Sequence, residues 1–387
     1  MPRSTIPIER GFTLNRILIY ALVLSFPGFM GCAEGPDASS DPITLSVDPA
    51  VELISIIYRL AGMRQYDLRE LPSYIDDIEE HFHSFRNHRA VEMTRDLAEN
   101  HRINGSAPMA LAVYLNFPEL EGEVPLTPPP ADLDFRWTPV IITEFLSAVR
   151  DFASVSSFGE FYASRSEYYD LSVESLRSSL EGHDILPWLQ EFFGEEPERY
   201  AIIVGMQQGY GNYGLSSTSE DGSVEYISII GANSPSIFRK VPSFSHWWFI
   251  PTVVHEFAHS FVNPAVYENE TTLEDVAEEL FPYHREKMME QGYSSWQHMV
   301  FEYLVRASVN RYLLEHEDGN GYRRRIEADE FQGFPGITLL TDCLGEYEEN
   351  RDRYPKLEAF MPKVAGCFEE LLRSLRDEED YGAQTGF

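Results

Sequence analysis

Lysine is nearly missing from this chain of 387 residues: only Lys240, Lys287, Lys356 and Lys363 occur, and arginine supplies almost all of the basic charge. Thirty Lys and Arg stand against 63 Asp and Glu, a formal net charge of −33. A chain this acidic repels phosphate backbones and anionic lipid headgroups, which excludes nucleic acid as a partner. Cysteine is scarce too, with three residues, Cys32, Cys343 and Cys367, and no Cys-x-x-Cys spacing. Thiolate zinc sites and redox dithiol motifs are therefore not expected. No internal repeat of solenoid period is present, and beyond the first thirty residues no apolar run is long enough to span a bilayer.

The amino-terminal stretch reads as an export signal. Arg3, Arg10 and Arg16 precede an apolar run, Ile17 to Phe26, of signal-peptide length. It leads to Phe29-Met30-Gly31-Cys32, which resembles a bacterial lipobox except that Phe29 stands where leucine is usual. The expectation is a lipoprotein-type signal over residues 1–31, a lipid on Cys32 as the only attachment to a membrane, and a cell-envelope location. Removing that signal leaves a chain of about −35. A flexible, small and polar tether is expected over 32–44. If Cys32 carries lipid, Cys343 and Cys367 remain as a pair in an oxidising compartment, where a disulfide between them is one of two open outcomes.

What the chain has in plenty is apolar and aromatic residues, 43% and 13%, enough for a large core. Helical periodicity marks Ala50–Ala61, Tyr74–Phe85, Ala90–Asn100, Trp137–Val155, Ser172–Leu180, Ile185–Phe193 and Leu357–Leu375. Asp48-Pro49 supplies a cap and a first-turn proline for the first of these. Arg199–Met206 and Val224–Gly231 read as strands, paired as an antiparallel hairpin across Gly209-Tyr210-Gly211-Asn212-Tyr213-Gly214 and Asp221-Gly222. The expected fold is α+β, mostly helical, with a small antiparallel sheet or hairpin beside the helix described next. Residues 45–375 are expected to form the folded domain, and 376–387 an acidic, frayed tail.

That helix carries the chemistry. Pro251 to Pro264 contains His255-Glu256-Phe257-Ala258-His259. Residues four apart on a helix lie one above the other, so His255 and His259 can offer two imidazoles to one ion. Glu256, about 100° round the helix, reaches a water beside the ion rather than the ion itself. Ile250, Val253, Val254, Phe257, Ala258, Phe261 and Val262 make the opposite, apolar face. Pro264 is expected to end the helix about one turn after His259. The third ligand is read as Glu302, a carboxylate among Met299, Val300, Tyr303, Leu304 and Ala307 with Arg306 one turn on. Glu278 and Glu279 are the competitors, on a segment acidic on several faces, and His298 is a weaker one.

Taken together, the run Val51 to Gly62, Gly211-Asn212-Tyr213-Gly214, His255 through Pro264 and Glu302 through Ala307 resemble an exported bacterial family of unknown function with a gluzincin-type site. The resemblance covers most of the chain beyond the tether. It implies His255, His259 and Glu302 as ligands of Zn2+ and Glu256 as catalytic base; it implies no substrate. The expected activity is a zinc metallopeptidase acting on a peptide or protein, with Tyr213 as a candidate oxyanion donor. Its alternative is a zinc-containing lipoprotein that binds a ligand without turnover. The usual gluzincin helix has an Asp near the ligand Glu, where this chain has Arg306.

Overall fold

The structure is a computed structural model that describes residues 43–385, apart from 68, 123, 210, 233–240, 245, 317 and 318, with backbone alone at 246, 247 and 378–385. The expected signal, Cys32 and Tyr210 thus lie outside the described residues. The first strand, β1 (Ile43–Ser46), is followed by α1 (Pro49–Leu60), α2 (Pro72–Phe82), α3 (Arg89–Asn100) and α4 (Ala107–Ala112). A short ribbon, β2 (Leu115–Asn116) with β3 (Glu121–Gly122), leads into α5 (Pro139–Val155), α6 (Phe158–Ala163), α7 (Ser166–Leu180) and α8 (Ile185–Phe193). Then come β4 (Arg199–Gly205), β5 (Tyr213–Thr218) and β6 (Val224–Gly231). The remainder is helical: α9 (His246–Glu268), α10 (Glu270–Glu290), α11 (Trp296–His316), α12 (Asn320–Phe331), α13 (Ile337–Glu349) and α14 (Met361–Thr385). The class is α+β and mostly helical, as expected.

Local chemistry sets several of these boundaries. Asp48 accepts from the Val51 N–H at 2.8 Å and Pro49 opens α1, so a cap and a preset φ start the helix together. Thr138 and Pro139 do the same for α5. Gly194, at φ +73°, ends α8 in the left-handed region where a side chain is costly.

The main sheet departs from the simple hairpin read in the sequence. Its strand order is β1-β4-β6-β5, with β1, β4 and β6 parallel and β5 antiparallel to β6. Arg199–Gly205 and Val224–Gly231 are therefore parallel neighbours, and the hairpin partner of β6 is β5. Two buried apolar strands separated by turn residues read as one hairpin; β5, with Gly, Ser and Thr in the sequence Tyr-Gly-Leu-Ser-Ser-Thr, is half-buried at the sheet edge and carries little apolar signal. β4 is buried along six of its seven residues, as a strand flanked on both sides should be.

Helix α9 packs across β5 and β6. Phe257 meets Tyr200 edge-on, and Phe261 stacks on Phe193 and meets Tyr226 edge-on. Helix α11 lies along the other side of α9, and α10, α12 and α13 enclose α11 in turn, so Met299 to Asn310 is buried on every face. Three further expectations are corrected. α9 does not stop before Pro264 but runs to Glu268. A proline inside a helix costs about 3 kcal/mol, through the lost hydrogen bond and the ring's clash, and complete burial of the Ala265 and Val266 side chains offsets an energy of that order. The tail is helical to Thr385, because Leu371 and Leu372 are buried and Arg376 pairs with Glu279 on α10. The tether gives up Ile43 and Thr44, which pair with Tyr200 and Ala201 in the sheet.

Candidate metal centre

Two packed helices and one strand build the site. His255 and His259 stand one turn apart on α9, and Glu302 faces them from α11. The Nε2 atoms of the two histidines are 3.3 Å apart. Glu302 Oε1 is 3.5 Å from His259 Nε2, and Oε2 is 3.8 Å from His255 Nε2. Ligand atoms about 2.0–2.1 Å from a tetrahedral zinc are separated by about 3.3–3.4 Å, so these spacings are of the size a zinc site needs. Among the described residues, this trio is the group of three or more His, Cys, Asp or Glu whose ligating atoms converge, all within 4.8 Å.

The surrounding hydrogen bonds aim these atoms. His259 Nδ1 lies 3.2 Å from Asn263 Oδ1, one turn on; donating there leaves Nε2 with its lone pair toward the centre. His255 Nδ1 is buried and has no hydrogen-bond partner among the described residues. Glu302, 4% exposed, accepts from Arg306 Nε at 3.2 Å. Arg306 in turn donates to Asp329 Oδ1 at 2.6 Å and to Gln332 Oε1 at 2.9 Å. Asp329, wholly buried on α12, also accepts from Arg325 and Asn310. Asp329 thus balances the Arg306 charge that the sequence leaves beside Glu302.

The electrostatics follow from burial and from this crowding. Burial would raise the Glu302 carboxyl, but His259, His255 and Arg306 outweigh it and hold Glu302 far below the carboxylate range. Burial lowers His255. For His259 burial pulls the same way, yet its hydrogen bond to Glu302 and that carboxylate's charge hold it above its ordinary value. Glu256, 7% exposed, is pushed up to about 7 by burial, with the His259 charge opposing. The backbone amide of Gly214 faces its carboxylate.

Gly214 explains part of the Gly-Asn-Tyr-Gly motif. A Cβ on Gly214 would sit 2.0 Å from the Glu256 carbonyl oxygen and 3.0 Å from His259 Cβ. Strand β5 can lie against the backbone of α9 at the level of the site only because position 214 has no side chain. Asn212 anchors the other end of the motif by accepting from the Gly231 N–H at 3.0 Å.

Other named residues fall outside the centre. Glu278 and Glu279 are exposed on α10. His298 is exposed at the rim, with Nδ1 2.9 Å from Ser295 Oγ. Tyr213 opens β5 with its hydroxyl near Tyr66, and burial pushes it up to about 12. A phenol outside the sequence reading also lies near the centre: Tyr293, in the turn between α10 and α11, feels the Glu302 charge, and burial together with that charge drives its pKa well up. Its ring lies beside His298, centroids 6.3 Å apart. No periodicity marks a turn tyrosine, so only the fold could find it. A cavity of about 500 Å³ lined by Tyr226, Phe261, Pro264 and Glu195 lies on the sheet side of α9 and touches none of these site residues.

Fold and site together define a mostly helical α+β protein whose described residues gather two histidines and a carboxylate around one point. By comparison with family models, the chain belongs to the DUF4932 family, a domain of unknown function matched over residues 43–366. Neither the curated proteins nor the solved structures contain a match to it.

Proposed function

We propose that the protein is a zinc-dependent hydrolase that cleaves peptide bonds. The observation that carries this reading is the convergence of His255 Nε2, His259 Nε2 and a Glu302 oxygen, with the buried Glu256 carboxylate beside them. A zinc ion held by these three would contribute Lewis acidity and make water ionisable near neutral pH. Glu256, poised near neutrality, takes a proton from the attacking water and hands it to the leaving amine. Arg306 holds Glu302 Oε2, and Glu302 would help to hold the zinc ion through its other oxygen. The Tyr293 hydroxyl, near Glu302, would donate to the oxyanion as it develops, the role for which Tyr213 is the candidate in the sequence.

The Cys343–Cys367 disulfide, which links α13 to α14, supports an exported protein working in an oxidising compartment. Purified from the cell envelope, the protein is expected to carry about one zinc and no free thiol at either position. His255→Ala, His259→Ala and Glu302→Ala should each lose the zinc. Glu256→Gln should keep it while peptide hydrolysis falls by roughly 10²-fold or more. Zinc retained by all three ligand variants would sink the metal reading. Full activity in Glu256→Gln would sink the mechanism and favour a non-catalytic zinc lipoprotein.

A further inference from the structure

Strand β5 has β6 on one side and the site on the other. In an antiparallel pair, alternate residues turn their backbone groups toward the neighbour and away from it. The Thr218 N–H is given to the Tyr114 hydroxyl at 3.2 Å, so the outward set is Gly214, Ser216 and Thr218. The Gly214 amide faces Glu256. Among the described residues nothing takes the Ser216 N–H or C=O. The open edge therefore spans at most Gly214 to Thr218, about 13 Å at ~3.3 Å per residue.

Its two ends differ in kind. At Gly214 lie Glu256 and the ligand trio. At Thr218 the edge is closed by a clamp of Tyr114, just before β2, and Asp132, between β3 and α5. Tyr114, 6% exposed, donates to Asp132 Oδ1 at 2.5 Å, and Thr218 Oγ1 donates to Asp132 Oδ2 at 3.0 Å. Asp132 itself is exposed, and each of its oxygens keeps a lone pair for a further donor.

We propose that β5 docks the amino-terminal end of an extended peptide, with two or three residues preceding the bond cut and Asp132 receiving the α-ammonium. This rests on the peptidase reading above and names its substrate class. A peptide added to a sheet edge gains main-chain hydrogen bonds, and the antiparallel mode is the stronger. That direction places the peptide's first residues at the Thr218 end and its scissile bond at Gly214, beside Glu256. A longer overhang would have to take the Thr218 amide from Tyr114. Hydrolysis consumes one water, breaks the C–N bond, and releases a short peptide carboxylate and a shortened chain with a new amine.

The test is a peptide series with a fixed carboxy-terminal half and one to six residues ahead of it, free or N-acetylated, digested by the zinc-loaded protein and read by mass spectrometry. Cuts are expected within three residues of a free amino terminus. Acetylation should lower kcat/KM by about 10-fold or more, the value of one charge-assisted contact. Asp132→Asn should abolish most of that preference through KM rather than kcat. Calorimetry on Glu256→Gln should rank free above acetylated tripeptides without turnover. Equal cutting of internal bonds in long acetylated peptides would overturn the length limit and leave the hydrolase reading intact. A zinc-loaded protein that neither cuts nor binds any member of the series would sink both.

Discussion

Glu52 is wholly buried in α1, yet it faces three donors: the Tyr74 hydroxyl at 2.7 Å, Gln207 Nε2 at 3.1 Å and the Met206 N–H at 3.2 Å. It thereby holds the chain where β4 leaves for β5. Burial pushes its pKa up to about 7, against those hydrogen bonds, and burial pushes the nearby Asp48 up to about 6. A carboxyl raised on folding stabilises the protein at low pH, and that contribution is lost as pH climbs from about 4.5 to about 7. Across that window wild type should lose roughly 3 kcal/mol relative to Glu52→Gln, which cannot ionise. Denaturant unfolding of both proteins from pH 4.5 to 8 measures this, and a pH-independent difference would contradict it. At this scale the site was largely legible. Glu302 stood among apolar residues and is buried; Glu278 and Glu279 stood among acids and are exposed. Tyr293 was not legible, because its position comes from the turn that carries it.

Between elements, the centre depends on α12, a helix that the sequence reading passed over. Asp329 there neutralises Arg306, which would otherwise draw on Glu302 as an uncompensated buried cation. Asp329→Asn should weaken zinc binding by about 10-fold or more while the far-ultraviolet dichroism stays that of wild type. Chelator competition gives the affinity; an unchanged value would make Asp329 a purely structural residue. The elements that escaped the sequence share a cause. Strand β5 is a Gly-Ser-Thr edge whose identity comes from its neighbours, and the helix beyond Pro264 persists because Ala265 and Val266 have a core to fill. Periodicity reports a segment's own amphipathicity and says nothing of what packs against it.

For the molecule as a whole, the mostly helical class could be read from the repeated apolar stripes, and the His-Glu-x-x-His pair from spacing within one helix. Sheet topology could not, since parallel pairing of β4 with β6 depends on where the intervening strand goes. One feature of that topology bears on motion. At Gly214 a strand and a helix touch backbone to backbone, with no side chain to repack between them. Sliding β5 along α9 would drive main chain into main chain, so the wall that carries Glu256 and the sheet edge moves as one body. Any breathing is left to the Gln291–Gly292 turn, with Gly292 at φ +90°, which precedes Tyr293 between α10 and α11. Backbone amides at 291–295 should exchange with solvent far faster than those at 213–216 and 256–260, and equal protection on both sides would mean that the whole cleft opens only when the protein unfolds.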